Sequence, residues 1–180
     1  GNEMGNAGRD LTDTGFWDRR YADGPKRRRP GDIAEDERTA LWRRLMAIPG
    51  LSSGVALELG CAPGRILERL VRAAPHFTYH GLDYSRPGLE ACKKALANAG
   101  IQAELYEGDL WTIELARPYD VVVSAGLIEH FDDPAAILRR HGDFARAGGW
   151  VIVTVPNWTH PWFNRAVTVG LRPDTFATHN

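Results

Sequence analysis

The stretch Val55-Ala56-Leu57-Glu58-Leu59-Gly60-Cys61-Ala62-Pro63-Gly64-Arg65-Ile66-Leu67 decides the reading of the chain. Val55, Leu57 and Leu59 alternate as one face of a strand does. Gly60 and Gly64 flank a turn where the backbone needs positive φ or a ligand comes close. Ile66, Leu67, Leu70 and Val71 then repeat at helical spacing. Strand, glycine turn and helix in that order place a ligand at the carboxyl end of a strand in an open α/β sheet.

The same alternation continues along the chain. Phe77 to Asp83 reads as a second strand, and Ser85 caps a helix with Leu89, Cys92, Leu96 and Ala99 inward, ending at Gly100. Ile101 to Tyr106 reads as a third strand and Pro118 to Ala125 as a fourth, with the apolar centre of a buried parallel strand. Asp133-Pro134 opens a helix that Gly148-Gly149 closes, and Trp150 to Val155 is the fifth strand. The pattern specifies a Rossmann-like, doubly wound, mostly parallel sheet with helices on both faces. Upstream, Asp32 to Glu35 reads as a capped helix start, with Leu41, Trp42, Leu45, Met46 and Ile48 as its apolar face.

Dinucleotide folds carry their acid about 20 residues after the glycine turn. Here Glu58 stands inside the first strand, and Asp83 ends the second. An acid on the first strand, a glycine turn and an acid after the second strand resemble class I S-adenosylmethionine-dependent methyltransferases. Ala62 replaces that family's third glycine, which leaves less room for a methionine arm. The resemblance runs from Phe16 to Val155 and lacks the family's last two edge strands. Either the chain is a fragment, or the edge is abbreviated, or a partner completes it; a homodimer is a separate expectation.

The resemblance implies one cofactor, S-adenosyl-L-methionine, with S-adenosyl-L-homocysteine (SAH) as product. Gly60, Cys61, Ala62 and Gly64 would lie along the methionine part, with Glu58 carrying charge behind its ammonium. Asp83 suits the ribose hydroxyls and Tyr84 the adenine face; Gly108, Asp109 and Leu110 suit the adenine edge. Ser124 and Ala125 would floor the site near the sulfonium, and Tyr21 would fold over it. Taken singly, Asp83 also reads as a helix cap, Asp109 as a turn residue and Glu58 as half of an ion pair.

His130, after the fourth strand, is the candidate base, because a histidine titrates near neutral pH; orienting the loop beside the cofactor is its other role. Trp17, Trp158 and His160 are candidate acceptor contacts. The fourth strand is not followed by the Asn/Asp-Pro-Pro-aromatic run of amino-directed members. Nor does it end in the Asp of metal-dependent ones. The expectation is metal-independent transfer to O, N or C of a small molecule. An NAD-dependent oxidoreductase and a non-catalytic binding module stay as alternatives.

The bulk properties fit one domain. The 180 residues are 43% hydrophobic with a net charge of −1, which gives no global attraction to nucleic acid or anionic membrane. Two cysteines make no disulfide framework and fit a reducing, cytoplasmic setting. Residues 1–13 read as a disordered tail, 14–50 as a cap, 51–156 as the cofactor-binding core and 157–180 as an aromatic acceptor-side segment. Lys26 to Arg29 is a basic loop, read either as a solvated face or as a lid sensing an anionic substrate.

Overall fold

The computed structural model describes residues 12–22 and 35–156. Among these residues five helices and five strands follow one another as α1 (Thr14–Ala22), α2 (Glu35–Leu45), β1 (Gly54–Leu59), α3 (Arg65–Ala73), β2 (Phe77–Asp83), α4 (Arg86–Asn98), β3 (Glu104–Glu107), β4 (Tyr119–Ala125), α5 (Pro134–Phe144) and β5 (Ala145–Thr154), with a short 3-10 turn, Ile128–His130, before α5. All strand pairings are parallel, in the order β3-β2-β1-β4-β5. The order reverses at β1, between β2 and β4, and that switch point is where such sheets open a crevice. Among the described residues no helix is long and apolar enough to cross a membrane.

The two faces of β1 enter two cores. Ala56 packs with Trp42, Met46, Leu67, Leu70 and Val121 on one side. Leu57 and Leu59 pack with Leu82, Tyr119, Val122 and Phe144 on the other. The caps read from sequence are made: Ser85 Oγ accepts from Gly88 N at 3.2 Å, and Asp133 Oδ1 accepts from Ala136 N at 2.9 Å.

Three boundaries differ from the expected ones. β3 begins at Glu104, because the Ile101 N–H is used to close α4 on the Leu96 carbonyl at 2.9 Å. α5 ends at Phe144 rather than at the Gly148-Gly149 pair, and β5 starts at once with Ala145 opposite Tyr119. Arg146 Nε donates to Asp120 Oδ1 at 2.6 Å, and Asp120 Oδ2 accepts from Val55 N at 2.8 Å. That bridge draws the chain into the sheet, and the register shift is absorbed around Gly148, at φ 70°. Leu41, expected on the apolar face of α2, is 48% exposed; Trp42, Met46 and Ile48 carry that packing.

Residues 1–11, the basic loop Lys26–Arg29, the expected helix cap Asp32–Ala34, Trp158, His160 and the rest of 157–180 lie outside the described residues. Thr12, assigned to the tail, is buried and accepts from Trp17 Nε1 at 2.7 Å.

Candidate active site

The turn after β1 hooks over the end of β2. Gly60, at φ 72°, and Cys61 both donate their N–H to the Leu82 carbonyl, at 2.8 and 3.2 Å. This brings Asp83 beneath the turn. Asp83 Oδ2 accepts from Ala62 N at 3.0 Å and Oδ1 from Ser85 N at 2.9 Å. Burial pushes its carboxyl above the ordinary range, while the N–H groups of Ser85, Ala62 and Tyr84 pull it back down. Each oxygen keeps acceptor capacity beyond its backbone bond.

α1 closes one side. Tyr21 donates its hydroxyl to the Ala62 carbonyl at 3.0 Å, and burial raises its pKa. Its ring lies so close to Gly88 that a Cβ there would stand 2.7 Å from it. Ser85 Oγ donates to Asp18 Oδ1 at 2.6 Å. Trp17 stacks on Tyr21 with centroids 5.9 Å apart and meets His130 edge to face at 5.0 Å.

These elements surround a cavity of about 950 Å³ at the switch point. Of the residues expected from sequence, Trp17, Tyr21, Gly60, Ala62, Asp83, Tyr84, Gly108, Asp109, Leu110, Ala125 and His130 line it. Residues from all four predicted strand ends therefore meet in one space. The turn reading of Asp109 is also realised, since its Oδ1 accepts from Trp111 N at 2.9 Å.

Four expected residues do not line the cavity. Ser124 is fully buried on the α5 side, 2.8 Å from His141 Nε2. His141 Nδ1 lies 2.7 Å from the Ile137 carbonyl, which can only accept, so Nδ1 carries the hydrogen and Nε2 of the neutral ring accepts from Ser124. Burial holds the His141 pKa down, in keeping with the neutral ring. Cys61 turns its thiol into the core against Cys92; that contact and burial push its pKa up. Gly64, at φ 95°, starts α3 with Cys92 so near that an added Cβ would stand 2.9 Å from its Sγ. Glu58 is buried one row below the cavity, paired with Gly81 and Val123, and its Oε2 has no hydrogen-bond partner among the described residues. Burial pushes its carboxyl well above the ordinary carboxylate range.

Sequence reasoning missed Trp111, Phe131 and Leu127. Trp111 and Phe131 meet edge to face at 5.7 Å on the cavity wall, and Leu127 Cδ1 would stand 3.0 Å from a Cβ at Gly60. An aromatic two residues after Asp109 was the available cue for Trp111. Arg20, Arg65 and Lys94, from three different helices, also reach the lining, and no sequence spacing links them.

A model of the family described as "Methyltransferase domain" matches residues 57–151. A ubiquinone biosynthesis O-methyltransferase of Nitrosomonas europaea is 30% identical over 112 residues, 61% of this chain and 47% of that protein. A trans-aconitate 2-methyltransferase of Azoarcus sp. is 30% identical over 128 residues, 70% of this chain and 49% of that protein. The chain spans about half the length of these curated relatives. In fold it is similar to a candidate S-adenosyl-L-methionine-dependent methyltransferase of Methanococcus maripaludis, with TM-score 0.66 at 18% identity, covering 96% of this chain and 78% of that one. It is also similar to coclaurine N-methyltransferase bound to N-methylheliamine and SAH, with TM-score 0.59 at 18% identity, covering 70% and 38%.

Proposed function

The chain belongs to the methyltransferase-domain family, and from that premise we propose that it is an S-adenosyl-L-methionine-dependent methyltransferase acting on O, N or C of a small-molecule acceptor, without a metal. The observation that carries the reading is the convergence of Gly60, Asp83, Asp109 and Ala125, from four strand ends, on one cavity. The donor set fits the cofactor. Asp83 offers the spare acceptor capacity that vicinal ribose hydroxyls need. Asp109 would accept from the adenine amino group, the Leu110 N–H would donate to the ring, and Tyr84 would pack on its face. Gly60 keeps side-chain bulk away from the methionine end, where Leu127 already closes in.

When bound, S-adenosyl-L-methionine supplies a methyl group already activated on a sulfonium. The chain's own residues are then left with alignment and exclusion of water. Trp17 and Tyr21, held by the Thr12 and Ala62 bonds, wall off solvent along α1. His130 is 6% exposed, lines the cavity and stands against the Trp17 ring. That position suits it to take a proton from an alcohol or phenol acceptor. The names of the relatives span an O-methyltransferase, an N-methyltransferase and a methyltransferase of a carboxylic acid. The acceptor is therefore assigned here only as a small molecule.

The test is calorimetric titration of the chain with SAH and with NAD. The reading expects saturable SAH binding and no NAD binding. Binding of NAD in place of SAH would transfer the cavity to the oxidoreductase reading, and binding of neither would withdraw the cofactor assignment.

A further inference from the structure

α5 carries two adjacent arginines with different surroundings. Arg139 is 72% exposed and approaches Asp133 only at 3.8 Å. Arg140 is 19% exposed and reaches across to the loop after β3. Its Nε donates to the Leu110 carbonyl at 2.6 Å and its Nη2 to the Ile113 carbonyl at 2.6 Å. The guanidinium lies 4.3 Å from the centroid of Phe144, and Nη1 meets Asp143 at 3.3 Å. Sequence spacing shows none of this, since Arg140 is 30 residues from Leu110 and sits in a helix turn rich in arginine.

We propose that Arg140 is a positioning residue for purine recognition, acting by fixing the peptide that aims the Asp109 carboxylate into the cavity. This rests on the reading of the cavity as an S-adenosyl site. The peptide unit joining Leu110 to Trp111 is held at both ends. Arg140 grips its carbonyl, and its N–H donates to Asp109 Oδ1 at 2.9 Å. Ile113 closes the same turn, donating its N–H to the Asp109 carbonyl at 2.8 Å while its own carbonyl is bound by Arg140. Apolar packing of Leu110 and Ile113 on the core sets how deep the loop sits. Such packing is not directional and leaves the rotation of the peptide planes open. A planar two-armed donor removes that freedom, which a lysine, as a single point charge, does not. With Oδ1 committed to Trp111, Oδ2 remains to accept from the exocyclic amino group of a purine. Arg140 thus selects an amino-bearing purine over an oxo-bearing one without touching the ligand.

The test compares SAH with S-inosyl-L-homocysteine, which carries a carbonyl where adenine has its amino group. Both are titrated calorimetrically into the wild type, Arg140→Met, Arg140→Lys and Asp109→Ala, with the thermal midpoint of each variant measured alongside. Loss of one well-aimed charged hydrogen bond corresponds to about a 10-fold weaker SAH affinity in Arg140→Met. The inosyl analogue should change by less than about 2-fold, as in Asp109→Ala, and Arg140→Lys should restore only part of the preference. Should Arg140→Met not fold, the ratio of the two affinities in Arg140→Lys decides. A preference for SAH that survives unchanged, or an equal fall for both ligands, overturns the positioning role. A wild type that binds neither ligand overturns the cofactor reading itself, and the Arg140 proposal with it.

Discussion

Asp83 ends β2 and Ser124 stands one residue before the end of β4, the two strands that flank β1; both are buried polar residues, yet they have opposite fates. Ser124 pairs with Leu59, which pairs with Leu82, so the three share one row of the sheet. That row faces the core of Leu57, Val122 and Phe144, and Ser124 satisfies its hydroxyl there on His141. Asp83 stands one residue further on, in the row of Gly60 and Ala125, and that row opens into the cavity. Side chains alternate across a strand. Ser124 therefore turns its hydroxyl to the α5 side while Ala125, the next residue, lines the cavity; Leu82, in the row of Ser124, reaches the cavity edge as well as the core. Cys61 repeats the lesson in the turn after β1: it stands between Gly60 and Ala62, which line the cavity, and turns its thiol into the core.

The contrast can be broken by substitution. The largest effect is expected at Asp83→Ala. Two charged hydrogen bonds to ribose hydroxyls are worth roughly 100-fold in affinity or more, so SAH binding measured by calorimetry should be lost. Retention of wild-type affinity would remove Asp83 from the site.

Glu58→Gln should show its effect in stability. Between the ordinary carboxyl value and the raised native one, the folded chain holds a proton that the unfolded chain has released. The stability linked to Glu58 is therefore full below the ordinary value and is lost as pH rises through the native value. Thermal unfolding from pH 5 to pH 8 should show the wild type falling relative to the variant. Parallel curves would mean that Glu58 ionises in the fold at no cost.

The smallest effect belongs to Ser124→Ala. It leaves His141 Nε2 without its donor, at about 1 kcal/mol of stability, and should leave SAH affinity within about 2-fold. A large loss of affinity would place Ser124 back in the cavity.

How much of this was legible follows from the same geometry. Strand order and type could be read because glycine turns and caps punctuate the chain, as at Gly60 and Ser85. Asp83 could be placed because it ends its strand next to a capping serine. Ser124 could not, because Val121, Val122 and Val123 are all fully buried and a strand covered on both faces shows no alternation to count. The early end of α5 was hidden for a different reason. Two glycines in sequence mark a helix stop, but here they serve a bulge whose position is set by the Arg146–Asp120 bridge, 26 residues apart. Arg140 was equally out of reach, since its partners are backbone carbonyls and carbonyls carry no sequence signature.

The most direct measurement is a crystal structure of the chain with SAH. The account predicts ribose hydroxyls on Asp83, the purine beside Asp109 and Trp111, and no ligand atom against the side chains of Ser124, Cys61 or Glu58. A ligand seated outside the cavity, or one that reaches the Ser124 hydroxyl while leaving Asp83 untouched, would contradict it.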